Sequence, residues 1–162
     1  MAVVDYFLKI DGIEGTSISQ QHKGEIEIES FSWGASRTPG SASGGGGRGG
    51  GDGRVQMQDF HFVMKTNKSS PKLFLACATG EHFTNGILAL SKRGNEAVDF
   101  LKVALTDVVV TSFQVGGGDE IPLEQVSLSF TKIEWEYTSV TPSGHPDKKI
   151  KAGYNLKTNS PL

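Results

Sequence analysis

The side chains best suited to metal binding or general acid–base chemistry are four scattered histidines: His22, His61, His82 and His145. Asp59 and His61 would share one face of a strand if the ladder there is regular. A metal or catalytic site also needs a third ligand or a matched nucleophile, and the spacing supplies neither. Four carboxylates likewise form no acid–base arrangement: Asp52, Asp59, Glu81 and Asp119. We therefore interpret the Asp59–His61 pair as solvated or interfacial and predict no catalytic site and no metal.

A glycine run formally matches the dinucleotide-binding pattern GxGxxG, through Gly44, Gly46 and Gly49. That motif requires a helix directly after it, whose N-terminus meets the pyrophosphate. Here the glycines lead into Arg54-Val55-Gln56-Met57, which alternates as a strand does. One RGG triplet is too short for an RNA-binding segment. We expect no cofactor.

The length of 162 residues is typical of a single domain, residues 1–162. A net charge of −2 gives no electrostatic case for nucleic acid or an anionic membrane. The N-terminus lacks the basic region of a signal peptide. No segment approaches the roughly 20 apolar residues of a membrane span, so we expect no membrane insertion.

One short segment has the signals of a helix. Ser70 is a suitable N-cap, Pro71 fits the first helical position, and Gly80 is a plausible C′ residue. The segment between them is apolar nearly all round, so one packing face cannot bury it. We expect it to pack on its own sheet and on another subunit, through core or interface residues Leu73, Phe74, Leu75 and Cys77. Cys77, the only cysteine, is predicted to be a buried small hydrophobic residue.

The remaining apolar pattern is that of strands that bend. Apolar residues alternate with period two, but the phase slips at several places where consecutive apolar residues are three apart. The slips lie between Ile28 and Phe31, Met57 and Phe60, Leu105 and Val108, Val110 and Phe113, and Phe130 and Ile133. Bulges at such slips bend strands around a closed or nearly closed barrel. The predicted fold is mainly β: a bent-strand β-barrel with one short α-helix and a long glycine-rich loop.

Several segments keep alternatives open. Val98–Val115 is long enough for two strands or one strongly bent strand, and a hairpin-like connection at Gly116–Glu120 separates it from Leu123–Tyr137. Residues 138–162 form a polar C-terminal extension in which residues 153–156 add a short terminal strand. Trp33 and Trp135 alternate with core residues, which predicts that both are packing residues.

Residues 40–53 are dominated by glycine and cannot pack a core. They lie between two strand signals, which indicates a long flexible loop and not a domain boundary. Loops of this length in compact domains are usually functional or disordered.

Taken in order, these features resemble one family. The segments FLKIDGIEG, EIEIESFSWG, VQMQDFHF, KSSPKLFLACATGEHF and VSLSFTKIEWEY are similar to those of Hcp, the hemolysin-coregulated protein of bacterial type VI secretion systems. The resemblance covers almost the whole chain. Its most specific parts are SFSWG at residues 30–34 and KSSPKLFLACATG at residues 68–80.

The resemblance implies a structural, non-enzymatic tube subunit. It implies hexameric rings that stack into a tube inside a contractile sheath, with the sheath, spike and effector proteins of the machine as partners. It also implies synthesis in the bacterial cytoplasm without a signal peptide and export through the machine itself.

Two sets of site residues follow when the resemblance is combined with the pattern. The glycine-rich loop is expected to contact a neighbouring ring through Gly47, Arg48, Gly49, Asp52 and Arg54. Because Phe31 and Trp33 are expected to face the barrel core, Ser32 points to the opposite face, and the resemblance implies that such strands form the inner wall of the ring. Ser30 and Ser32 are the predicted lumen and cargo positions, with Glu29 beside them.

Two other classes of protein compete with this reading. A β-barrel module for a small ligand or glycan would show exposed rows of aromatic residues, whereas the aromatic residues here occupy core-like positions. A metal-dependent hydrolase would need histidines closer together.

Overall fold

The computed structural model describes residues 3–37, 54–93 and 97–162. Within them the chain forms one helix, α1 (Ser70–Thr79), and twelve strands. The strands are β1 (Val4–Ile10), β2 (Ile26–Ile28), β3 (Ser30–Ser32), β4 (Ala35–Arg37), β5 (Val55–Met57), β6 (Phe60–Lys65), β7 (His82–Lys92), β8 (Val98–Gly116), β9 (Leu123–Ser129), β10 (Lys132–Val140), β11 (Pro146–Asn155) and β12 (Ser160–Pro161). The prediction of a mainly β fold with one short helix is confirmed.

Ten of the strands belong to one antiparallel sheet with two branches. One branch runs β12-β11-β10-β8-β7-β1-β2, and the other leaves β8 through β9 and β6 to β3. The two branches meet at Glu29, the single residue between β2 and β3, whose N–H donates to the Val63 carbonyl at 2.7 Å. The sheet therefore curves around one core. β4 and β5, which precede and follow residues 38–53 in the chain, form a separate two-stranded ribbon.

The core lies inside this curve and is aliphatic and aromatic. Its largest fully buried apolar side chains come from both branches of the sheet and from the helix: Phe60, Phe62, Leu8, Ile10, Ile26, Met64, Leu73, Leu88, Leu105, Leu128 and Val103. Burial of such side chains is the main favourable term in folding.

Three of the five phase slips each have their own structural cause. Between Ile28 and Phe31 the strand changes partner at Glu29, from β1 to β6. Within β8 the register with β9 shifts between Val110 and Ser112, which is a β-bulge. Also within β8, Asp107 has a φ of 57°, in the left-handed region.

The other two slips are ends of strands. β5 ends at Met57 and β6 begins at Phe60, while β9 ends at Ser129 and β10 begins at Lys132. The segment from Leu123 to Tyr137 is therefore two strands. Val98–Gly116, in contrast, is one continuous strand of 19 residues, which resolves the alternative in favour of a single bent strand.

The helix begins one residue earlier than predicted. Ser69 is the N-cap and Ser70 is already helical, with its side chain directed to Glu124 and not to the helix backbone. Gly80 ends the helix in the left-handed conformation, with φ at 71°, and its N–H donates to the Ala76 carbonyl. This is the C-terminal arrangement that glycine favours.

The C-terminal residues are an integral part of the main sheet. β10 continues to Val140 and pairs with β11, which in turn pairs with the short β12. The short strand predicted at 153–156 is therefore only the end of β11, which begins at Pro146. The sequence does not reveal the rest of β11, because its polar residues are exposed on both faces and show no alternation of apolar and polar residues.

Candidate functional site

Four neighbouring strands present a polar, almost uncharged face. Their registers align Ser32 of β3, His61 of β6, Ser127 of β9 and Ser112 of β8 in one row across the sheet. The next row is Ser30, Val63, Gln125 and Gln114. We call these eight residues the polar wall. They line a shallow depression of about 480 Å³.

The opposite face of the same strands belongs to the core. Phe31 pairs with Phe62, Phe62 with Val126, and Val126 with Phe113, in the row between the two polar rows. Phe62 and Val126 are buried, and Phe31 packs against Phe60 with ring centroids 5.9 Å apart. Because side chains alternate along a strand, the apolar row fixes the direction of the polar ones. The β3–β6 register therefore agrees with the prediction that Ser32 points to the face opposite Phe31.

His61 is the most reactive side chain of the polar wall. Its Nδ1 lies 2.5 Å from the Ser127 hydroxyl, and its ring is exposed. Asp59 accepts a hydrogen bond from the Thr111 hydroxyl at 2.7 Å. Asp59 and His61 therefore have separate partners and do not act as a pair. The part of the chain described here contains no cluster of three or more metal-binding side chains.

Among the described residues, the charges that border the polar wall lie at its ends. At one end Lys65 Nζ lies 3.8 Å from Glu29 Oε1, an exposed ion pair of little energetic weight. At the other end is Asp59. Between them the wall offers hydroxyl, amide and imidazole groups, which bind through hydrogen bonds.

Helix α1 is half buried against its own sheet, and burial of its other side by a second subunit stays a prediction. Leu73 and Ala76 are completely buried against the sheet. Phe74 and Leu75 are 57% and 54% exposed, although Phe74 contacts Phe113 edge to face at 6.2 Å. Cys77 is half-buried and not fully buried as predicted, because it lies beside the exposed face of the helix.

A second exposed apolar surface lies on β10 and β11. Trp135, Tyr137 and Ile150 are 44%, 45% and 69% exposed. Tyr137 pairs with Ile150, and Trp135 pairs with the buried Val103, so the strip continues the core-facing side of the sheet beyond the covered core. Trp135, predicted to be a packing residue, is thus partly exposed, and its ring contacts Trp33 edge to face with centroids 5.2 Å apart.

Most of the predicted stacking residues lie outside the described part of the chain. These are Gly47, Arg48, Gly49 and Asp52. Arg54 is described and is exposed directly before β5. In the chain, all five lie between β4 and β5.

Sequence reasoning missed a buried histidine with two acidic partners. His22 Nδ1 lies 2.8 Å from Glu25 Oε2, and its Nε2 lies 2.9 Å from Asp99 Oδ1. The ring stacks on Phe7 with centroids 4.4 Å apart. Glu25 follows His22 at a spacing of three, but Asp99 is far away in sequence, so no local pattern reveals the cluster. It ties residues 14–25 to the start of β8.

A partly exposed acid on β8, Asp107, has a perturbed pKa. The hydrogen bond from His82 lowers the pKa of the Asp107 carboxyl below its ordinary value. The positive charges of His82 and Lys157 act in the same direction, against the opposing effect of burial.

Known proteins resemble this chain over nearly its full length. The family described as "Type VI secretion system effector, Hcp" matches residues 7–137. The protein hcp1 of Pseudomonas aeruginosa is 35% identical over 160 residues, which cover 96% of this chain and 97% of that protein.

Solved structures agree in fold. The structure of a type six secretion system protein superposes with a TM-score of 0.88 at 27% identity, covering 99% of this chain and all of the other. Hcp1 from Salmonella typhimurium superposes with a TM-score of 0.79 at 31% identity, over 99% of this chain and all of the other. The family match and the relative at 35% identity establish that this chain belongs to the Hcp family of type VI secretion proteins.

Proposed function

We propose that the protein is a structural, non-enzymatic tube subunit that closes into a homo-hexameric ring. The polar wall carries this proposal. Four strands turn one face to the core and present the other as a neutral polar surface, as the lining of a channel for protein cargo would require. Ser30 and Ser32 are the proposed cargo-contacting positions on that lining.

Two exposed apolar surfaces support ring closure. The helix presents Phe74 and Leu75, and the sheet presents Trp135, Tyr137 and Ile150. When one surface of a subunit contacts a different surface of the next copy, the contact is head-to-tail. A series of head-to-tail contacts closes into a ring if the rotation from one copy to the next permits it. Exposed contiguous apolar surface of this kind favours an interface with protein over solvent.

Stacking of rings is assigned to residues 40–53. This segment lies between β4 and β5 in the chain, and Arg54, directly before β5, is exposed. Its proposed partner is the neighbouring ring, through Arg48, Asp52 and Arg54. Sheath, spike and effector proteins of the machine are the further partners of the assembled tube.

Export is proposed to occur through the machine, from the bacterial cytoplasm to the outside. Among the described residues no helix is long and apolar enough to cross a membrane.

Light scattering and electron microscopy test the assembly. We expect a hexamer by size-exclusion with light scattering, and stacked rings by microscopy at high concentration. Deleting Ser43 to Gly51 should leave the hexamer intact, abolish tubes, and abolish secretion in a strain that carries the machine. A monomeric wild-type protein would contradict the ring, and long tubes from the deletion variant would reduce the loop to a linker.

A further inference from the structure

The polar wall contains one titratable side chain, His61. Its neighbours in the row are the hydroxyl-bearing residues Ser32 on β3 and Ser127 on β9. The following row adds only neutral groups from the three other strands. A change in protonation of His61 is therefore the one change of charge available to the central rows of this surface.

Charged groups near His61 are few and lie at the ends of the wall. On its own strand Lys65 is ion-paired with Glu29, which precedes β3. Asp59 is two residues before His61 and is bonded to Thr111 on β8. β9 contributes Gln125 and Ser127 to this face, and its Glu124 is buried on the other side. No carboxylate among the described residues forms a hydrogen bond with His61.

The His61 ring keeps one nitrogen for a ligand. Nδ1 contacts the Ser127 hydroxyl, while Nε2 has no hydrogen-bond partner within residues 3–37, 54–93 and 97–162. The ring is exposed, so Nε2 can accept a hydrogen bond when neutral and donate one when protonated. Imidazole changes charge in the range between pH 5 and 8 unless its surroundings prevent it.

We propose that His61 sets the charge preference of the cargo surface. When His61 is neutral the wall selects by hydrogen bonding, and acidic and basic protein surfaces bind with similar affinity. When it is protonated, a cationic band forms that favours cargo with an acidic surface and disfavours basic cargo. This inference rests on the proposed ring, in which the wall is repeated around a lumen and the charges of the copies add.

The test uses full-length rings and two fluorescent probes, a decaglutamate and a decalysine peptide, at low salt. Wild-type, His61→Gln and His61→Lys proteins are compared, with His82→Gln as a matched control because His82 is exposed and contacts Asp107 away from the wall. Light scattering at each pH checks that every variant is a ring. Binding is measured at about pH 8 and about pH 5.5, which span the pH range in which histidine is the side chain that most often changes charge.

For wild-type and His82→Gln rings we expect the acidic probe to bind about fivefold more tightly at the lower pH, and the basic probe more weakly. His61→Gln should abolish most of that difference, and His61→Lys should bind the acidic probe tightly at both pH values. An equal pH response in wild-type and His61→Gln rings would overturn the role of His61 while leaving the tube intact. A wild-type protein that forms no ring would overturn the proposed function and this inference with it.

Discussion

The Nε2 atom of His22 lies 2.9 Å from Oδ1 of Asp99, although the two residues are 77 positions apart in the sequence. The other ring nitrogen, Nδ1, lies 2.8 Å from Glu25 Oε2. This buried cluster anchors the irregular segment before β2 to the long strand β8. Removing the His22 ring would leave the carboxylates of Glu25 and Asp99 facing each other across a cavity.

We therefore predict that His22→Ala lowers the free energy of unfolding by about 2–4 kcal/mol, because two charged hydrogen bonds and a ring stack are lost together. Urea unfolding at a fixed protein concentration measures the change. His82→Ala is the control, since its contact with Asp107 lies at the surface, where solvent weakens such ion pairs. Equal losses for both variants would contradict the structural role of His22.

A second prediction separates folding from assembly within helix α1. Leu73 is fully buried, so Leu73→Ala should cost about 2–5 kcal/mol of stability. Leu75 is 54% exposed, so Leu75→Glu should leave the thermal unfolding of the single chain nearly unchanged and should prevent ring formation. Calorimetry and light scattering on the two variants check this. A Leu75→Glu protein that is a normal hexamer would exclude that side chain from the interface.

The sequence predicts local structure well here and long-range structure poorly. Residue type predicts the left-handed conformation of Gly80, and the spacing of apolar residues predicts the bend near Val110. Both are local signals. Alternation predicts correctly that Trp135 lies on the face of the sheet that carries the buried Val103. It gives no information on where the core ends, because that depends on which elements cover the sheet. The row from Ser32 to Ser112 depends on the three registers between four strands, and no single stretch of sequence contains them.

Glu124 provides a third prediction, on how the helix is attached. Its Oε2 accepts a hydrogen bond from the Ser70 hydroxyl at 2.8 Å, and its buried Oε1 has no partner among the described residues. Ser70→Ala should cost about 1–3 kcal/mol, since it leaves a buried carboxylate without its donor. In a Glu124→Leu background the same substitution should cost less. Urea unfolding of the four proteins gives the coupling energy, and a coupling near zero would show that this hydrogen bond contributes nothing.

The fourth prediction concerns acid stability and Asp107. Its folded-state pKa is lowered, chiefly by the hydrogen bond from His82, so the unfolded chain binds a proton at Asp107 more readily than the folded chain does. The resulting stabilisation is present above the unfolded-state pKa of about 3.9 and is lost as the pH falls through the folded-state value. Asp107→Asn should flatten that part of the stability profile between about pH 5 and pH 2. Thermal unfolding across this range is the measurement, and an unchanged slope in the variant would contradict the assignment.

The last prediction tests the direction of the polar wall. Ser32 is exposed and pairs with His61, so a cysteine there is reachable by a bulky maleimide from the wall side. The native Cys77 is half-buried on the helix, so the experiment uses a Cys77→Ala background. Labelling Ser32→Cys after ring assembly should leave the hexamer intact and abolish co-purification of a small cognate effector, because the label fills the lumen. Ser143→Cys, in the exposed turn between β10 and β11, is the matched control and should retain the effector after labelling. Effector retained by rings that carry the label at position 32 would place this face on the exterior of the ring.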